Sequence, residues 1–178
     1  MVARAYTVAF EGVEAKPVEV QCAITPGVPA FSLVGLPDKA VSEARDRVRA
    51  ALSAMAIALP SRRITALALL AALEIIPHDA AEGTTALGEL SLDGTLVPVI
   101  GALPAAMAAA EEHRILLCPK ACGPEAAWVG TVQVIAAGSL SDVVRHYTGQ
   151  APIPASDPGE VIAPPQGRDL RDVKGQER

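Results

Sequence analysis

Apolar and polar positions alternate over Tyr6, Val8 and Phe10 against Thr7 and Ala9, the period of a half-buried strand. After Glu11-Gly12 a second alternating run puts Val18, Val20, Cys22 and Ile24 on one face and Glu19 and Gln21 on the other. Pro26-Gly27-Val28-Pro29 leads to a short strand over Phe31 to Val34. Gly35-Leu36-Pro37-Asp38 ends that strand and starts a helix, with Asp38 placed to cap it. From Lys39 to about Ala58, Val41, Ala44, Val48, Ala51 and Met55 recur at steps of three and four and form one buried stripe.

A second helical run covers Ala66 to Ile76 and stops at Pro77. Thr84 to Leu92 then faces Thr95 to Ile100 across Asp93-Gly94, a strong hairpin signal that predicts a type I′ turn, with Pro98 at an edge or bulge. The pattern continues with a helix over Leu103 to Glu112 and a strand over Arg114 to Cys118. A short helix over Pro124 to Trp128, a strand over Val132 to Ile135 and a final helix over Leu140 to Tyr147 follow. Mixed strands and helices in this order predict an α+β fold with a mixed sheet packed against helices.

Composition sharpens this picture. Of 178 residues, 51% are apolar, which excludes disorder for most of the chain. Only five are aromatic (Tyr6, Phe10, Phe31, Trp128, Tyr147), so the core is expected to be close-packed and built from small residues. Residues 1–150 hold 15 acidic and 11 basic side chains, which excludes a strongly basic nucleic-acid module. From Ala151 onward the character changes: five prolines and no aromatics read as a linker. The Met1 to Tyr6 start lacks the apolar core of a signal peptide. The run from Ile64 to Ile76 is broken by Glu74 and falls short of the roughly 20 residues that span a bilayer, so a cytoplasmic protein away from membranes is expected.

Candidate chemistry is sparse. Three cysteines (Cys22, Cys118, Cys122) are too few and odd in number for a disulfide scaffold. Cys118 and Cys122 lie four apart without a second pair or a histidine at ligand spacing, so no metal site is expected. Arg45 and Arg49 share a helix face, and Arg62-Arg63 follow Pro60-Ser61; these four are the candidate contacts to DNA phosphate, set against a plain solvated face. His78 reads as a loop residue, and His113 and His146 as helix-end residues that suit the helix dipole. Asp79, Glu89 and Asp93 do not assemble a metal cluster, Asp93 being explained by its turn.

Four ordered segments carry a resemblance. They are Phe31-Ser32-Leu33-Val34-Gly35-Leu36-Pro37-Asp38, the helix Arg45 to Leu52, Gly88-Glu89-Leu90-Ser91-Leu92-Asp93-Gly94 and Asp172-Val173-Lys174-Gly175-Gln176. Together they resemble the N-terminal region of the ComM/YifB family of magnesium-chelatase-like AAA+ ATPases, over nearly the whole chain. The resemblance implies a ribosomal protein S5 domain 2-like fold, shared with the proteolytic domain of Lon, over residues 1–150. It implies a Pro-rich linker at 151–171 and the start of a truncated AAA+ domain at 172–178. Asp172 to Gln176 looks like the box that leads into the motor, which makes Val173, Gly175 and Gln176 a partial nucleotide site. The family normally has a further strand-completing segment after Thr65; here Thr65 runs directly into the next helix, so one core segment is expected to be missing and residues 62–65 to form at most a stub.

The resemblance implies ATP and Mg as cofactors of full-length family members, which act as hexameric helicases in DNA processing during natural transformation. The chain stops at Arg178 ahead of any Gly-x-x-x-x-Gly-Lys-Ser/Thr loop, so neither cofactor is expected in this chain and it is not expected to be an enzyme. The expected partners are the AAA+ domain of the parent protein, hexamer neighbours and DNA. A vestigial Lon-like Ser-Lys peptidase and a ligand-free scaffold are the alternatives. A peptidase needs a lysine base against a serine, and the stretch Gly101 to Met107, where the Lon resemblance places that base, has no lysine. Ser91 sits in the hairpin without a foreseeable base, so no catalytic residue is assigned.

Overall fold

The two N-terminal alternating runs pair directly. In the computed structural model, which describes residues 2–23 and 66–160, strand β1 (Val2–Glu11) and strand β2 (Glu14–Ala23) form a continuous antiparallel ribbon from Val2↔Ala23 to Glu11↔Glu14. The buried positions are Ala3, Ala5 and Cys22; Tyr6 and Val8 are half-buried, and Phe10 and Val18 are 43% and 37% exposed. The period of two holds, but the fully covered face is the small one, because a closely apposed helix leaves room for alanine and not for an aromatic ring. The strand at Phe31–Val34, the Lys39–Ala58 helix and the stub at 62–65 lie outside the described residues.

Helix α1 (Ala66–Ala72) buries Leu67, Ala68, Leu69, Leu70 and Ala71. Almost every side is covered, so no polar stripe remains. The helix stops earlier than Pro77 alone requires: Glu74 takes a left-handed φ of 56°, its N–H bonds to Ala71 O, and Ile75 N–H bonds to Leu70 O. These two bonds form a Schellman cap. The stretch read as a loop after Pro77 is helix α2 (His78–Glu82), with Pro77 at its N-cap.

Strand β3 (Thr84–Ala86) lies parallel to β1 through Tyr6↔Thr85 and parallel to strand β6 (Ile115–Pro119). Between them strands β4 (Glu89–Leu90) and β5 (Leu96–Val97) form a separate antiparallel pair. The single long run expected from Thr84 thus divides at Leu87-Gly88, with β3 in the main sheet and β4 in the hairpin. The turn is not type I′. Gly94 has a positive φ (87°) and Asp93 does not; Gly94 N–H bonds to Ser91 O, and Ser91 N–H bonds to Thr95 O. This is a three-residue connection with glycine in the left-handed position, and it spares Asp93 a strained φ.

Helix α3 (Ala102–Glu111) precedes β6; a 3-10 turn at Lys120–Cys122, helix α4 (Gly123–Ala126) and a second 3-10 turn at Ala127–Val129 follow it. Strand β7 (Val134–Ala137), parallel to β6, and helix α5 (Leu140–Tyr147) complete the fold. The sheet order β2-β1-β3-β6-β7 makes an α+β protein with a five-stranded mixed sheet. Its two faces carry separate cores. One packs Ala3, Ala5 and Leu117 with α1 and with Leu140 and Val143 of α5. The other packs Leu116, Cys118 and Val134 with Ala102, Ala105, Ala106 and Ala109 of α3. Neighbouring residues of β6 serve opposite cores, as a period of two requires.

The buried Thr84 hydroxyl on the first face is satisfied on both sides. Thr84 Oγ1 donates to Ala80 O at 2.7 Å, so the Tyr147 hydroxyl, also 2.7 Å away, donates to Thr84. Ser139 caps α5: its hydroxyl accepts from Asp142 N–H and donates to the Asp142 carboxylate. Residues 151–160, expected to open the linker, are tied to this body. Ser156 N–H bonds to Val134 O, Gly159 N–H bonds to Pro124 O, and Ala155 bridges Ile135. They form a strap along the outer edge of β7.

α3 ends like α1, but with His113 at a φ of 55° where a glycine is usual; His113 N–H bonds to Ala110 O and Arg114 N–H to Ala109 O. The dipole role expected for His113 is secondary to this backbone position. His113→Gly relieves the left-handed strain at an exposed site, and the expected outcome is a gain of about 0.5–1 kcal/mol in unfolding free energy, read as a rise in urea midpoint at unchanged slope.

Candidate functional site

The hairpin β4–β5 places Ser91, the serine weighed as a nucleophile, beside Asp93. The Ser91 hydroxyl donates to Asp93 Oδ1, and Thr95 N–H donates to the same oxygen at 2.9 Å. These bonds, that of Ser91 foremost, hold the Asp93 carboxyl down at about 2. A carboxylate of that pKa is a poor proton acceptor for a serine at neutral pH. The arrangement closes a turn and does not activate an oxygen. Of the lysines in the described residues, Lys16 pairs with Glu11 at the far end of the β1–β2 ribbon, and Lys120 is an exposed residue after β6.

The cysteines sit in the cores. Cys118 and Cys122 belong to the α3 face, and the Cys122 thiol donates to Val99 O at 3.4 Å. Burial, with smaller contributions from Cys122 and Glu125, pushes the Cys118 thiol up to about 12. Only about one molecule in ten thousand then carries the reactive thiolate at pH 8. Iodoacetamide at pH 8 is therefore expected to leave Cys118 unmodified in the native chain and to label it after urea unfolding, as peptide mass spectrometry reads.

Histidines and carboxylates stay apart. Among the described residues no three His, Cys, Asp or Glu side chains are grouped to hold a metal ion. His78 opens α2, and its Nε2 is buried without a hydrogen-bond partner among the described residues. His146 Nδ1 accepts from Ile153 N–H at 2.9 Å, and burial lowers its pKa. That contact joins α5 to the strap and is invisible in the sequence, since a main-chain donor has no side-chain signature. Arg114, also unmarked by any motif, lies 3.4 Å from the centre of the Tyr6 ring and pairs with Glu112 at 3.4 Å. Tyr6 in turn donates to Glu19, which also pairs with Arg4 at 3.8 Å. This chain of contacts clamps β2 and β1 to the start of β6.

The remaining candidates, Arg45, Arg49, Arg62, Arg63, Val173, Gly175 and Gln176, lie outside the described residues, as do Ser61 and the tail beyond Glu160. The family described as subunit ChlI of Mg-chelatase matches residues 18–66 and 65–122. Competence protein ComM of Haemophilus influenzae is 34% identical over 168 residues, covering 84% of this chain and 33% of that protein. YifB of Escherichia coli is 31% identical over 192 residues, covering 97% of this chain.

The chain belongs to the ComM/YifB family of Mg-chelatase-like proteins. An uncharacterized protein of Mycobacterium tuberculosis is 35% identical over 193 residues, or 97% of this chain. The chain spans 38% of the length of that relative and of YifB. The two ChlI matches meet at the Thr65–Ala66 junction. An alignment of 193 positions that covers 97% of 178 residues leaves about twenty family positions without a counterpart here. The break between the two ChlI matches agrees with a family segment missing at that junction. No helix among the described residues is long and apolar enough to cross a membrane.

Proposed function

We propose that this chain is the N-terminal accessory domain of a ComM-like AAA+ motor, a cytoplasmic domain without catalysis of its own that guides DNA or neighbouring subunits towards the motor. The observation that carries this reading is the match of 84% of the chain to one third of a protein named for competence. The sequence contains no Gly-x-x-x-x-Gly-Lys-Ser/Thr loop to cradle a nucleotide phosphate. Val173, Gly175 and Gln176 supply only an approach to ATP and Mg held elsewhere in the full protein. The Ser91–Asp93 turn supports the non-peptidase side of the reading.

In this role Arg45, Arg49, Arg62 and Arg63 contact DNA phosphate. The purified chain is expected to turn over no ATP and to bind a labelled DNA duplex with affinity that falls steeply between about 50 and 200 mM salt. Alanine at all four arginines is expected to flatten that salt slope. ATP turnover by the chain alone, or casein cleavage lost in Ser91→Ala, overturns the accessory reading. Binding that is indifferent to salt overturns the DNA contact and leaves subunit assembly as the role.

A further inference from the structure

Four main-chain donors seat the strap on the body. Ala151 N–H reaches Arg145 O at 3.0 Å, Ile153 N–H reaches His146 Nδ1 at 2.9 Å, Ser156 N–H reaches Val134 O at 2.8 Å and Gly159 N–H reaches Pro124 O at 3.0 Å. Three acceptors are carbonyl oxygens, whose lone pairs persist at any pH at which the protein folds. The fourth is an imidazole nitrogen, which accepts only while it carries no proton. The bond therefore requires the neutral ring with its proton on Nε2.

We propose that His146 is a proton-sensitive latch for the strap: the neutral ring holds Ile153 against α5, and the imidazolium releases it. Protonation would set two N–H groups nose to nose and leave the Ile153 amide without its acceptor. Release is confined to the stretch around Ile153, because the carbonyl acceptors of Ala151, Ser156 and Gly159 on either side do not titrate. What the latch governs is the path of the polypeptide as it leaves the domain, since the strap runs from the end of α5 past β7 to Pro124. This inference stands apart from the accessory role and survives its failure.

The surroundings leave the ring dependent on burial. It forms a T-shaped pair with the Tyr147 ring, at a centroid distance of 4.8 Å and 73°. On its own helix Arg145 is paired with Asp142. The neighbouring α2 carries His78, Asp79 and Glu82, the strap carries Asp157 and Glu160, and β7 has no ionisable residue. Burial is what moves the His146 pKa, and it moves it below the ordinary 6.5. A ring that binds its proton more weakly when seated than when released couples protons to release. The seated strap is fully favoured above the ordinary histidine pKa of about 6.5, and that preference is lost as the pH falls through the lowered value.

The test is amide exchange by NMR on the whole 178-residue chain, with each rate divided by the intrinsic rate at the same pH. Ile153 protection is expected to fall about tenfold between about pH 7.5 and 5.0, the loss of one hydrogen bond, while Gly159 protection changes little. H146N, whose side-chain oxygen accepts at every pH, is expected to keep Ile153 protected throughout. H146A is expected to leave it unprotected at both pH values. Ile153 protection that is flat with pH in the parent chain, or that falls equally in H146N, overturns the latch; the H146N arm decides even where H146A does not fold.

Discussion

Leu70→Ala is expected to lower the unfolding free energy by about 3 kcal/mol, within the usual range for a fully buried leucine. Leu70 is 0% exposed, and α1 is hemmed in by the β1–β2 ribbon and by α2. The Leu70 carbonyl also accepts both Ile75 and Ile76 N–H at the helix end, so the backbone there cannot slide inward to fill the space. A domain with a total stability of about 5–15 kcal/mol would show this as a large shift in urea midpoint. Leu92→Ala, at a side chain 61% exposed on the hairpin turn, is the control and is expected to cost under about 0.5 kcal/mol. Equal effects at the two positions would mean that α1 is not packed as described.

Gly123→Ala is expected to destabilise by about 2 kcal/mol through overlap alone. The glycine has an ordinary right-handed φ of −55°, so its backbone admits any residue. A Cβ there would lie 2.6 Å from Ala136 Cβ and 2.6 Å from Ser156 Oγ. The serine hydroxyl can rotate away; the alanine methyl is fixed by β7. Either α4 lifts from the sheet or the strap leaves Val134. The second outcome would expose the Ser156 amide to exchange, and Ala136→Gly in the same chain is expected to recover most of the loss. Full stability in Gly123→Ala would show that the contact between α4, β7 and the strap is looser than the distances state.

The parts legible in the sequence are those where side-chain pattern decides the backbone. α5 runs from Leu140 to Tyr147 as its periodicity implies, and β6 and α3 fall within one residue of expectation. α2 escapes such a reading because five residues after a proline are too few to show a helical period. Ala3 and Ala5 are overshadowed by Tyr6 and Phe10 because hydrophobicity ranks the larger side chains first, whereas a close-packed helix selects the smaller. The strap resembles a linker in composition because backbone hydrogen bonds need no apolar side chains. The family is legible from ordered motifs, and the comparisons agree with it. The candidate site is less so. Asp93 belongs to its turn as expected, but its grip on Ser91 depends on a turn geometry that Asp-Gly alone does not specify.

The β1–β3 junction has a consequence for synthesis. Tyr6 pairs with Thr85, and the Thr7 hydroxyl reaches Ala86 O across 79 residues of chain. At roughly 5–20 residues per second on the ribosome, the ribbon emerges several seconds before the strand that will receive it. During that interval β1 has an open edge beside Ala3 and Ala5. The β1–β3 pairing therefore closes only after residue 86 has been made, so the ribbon must wait as a two-stranded unit before it joins the main sheet.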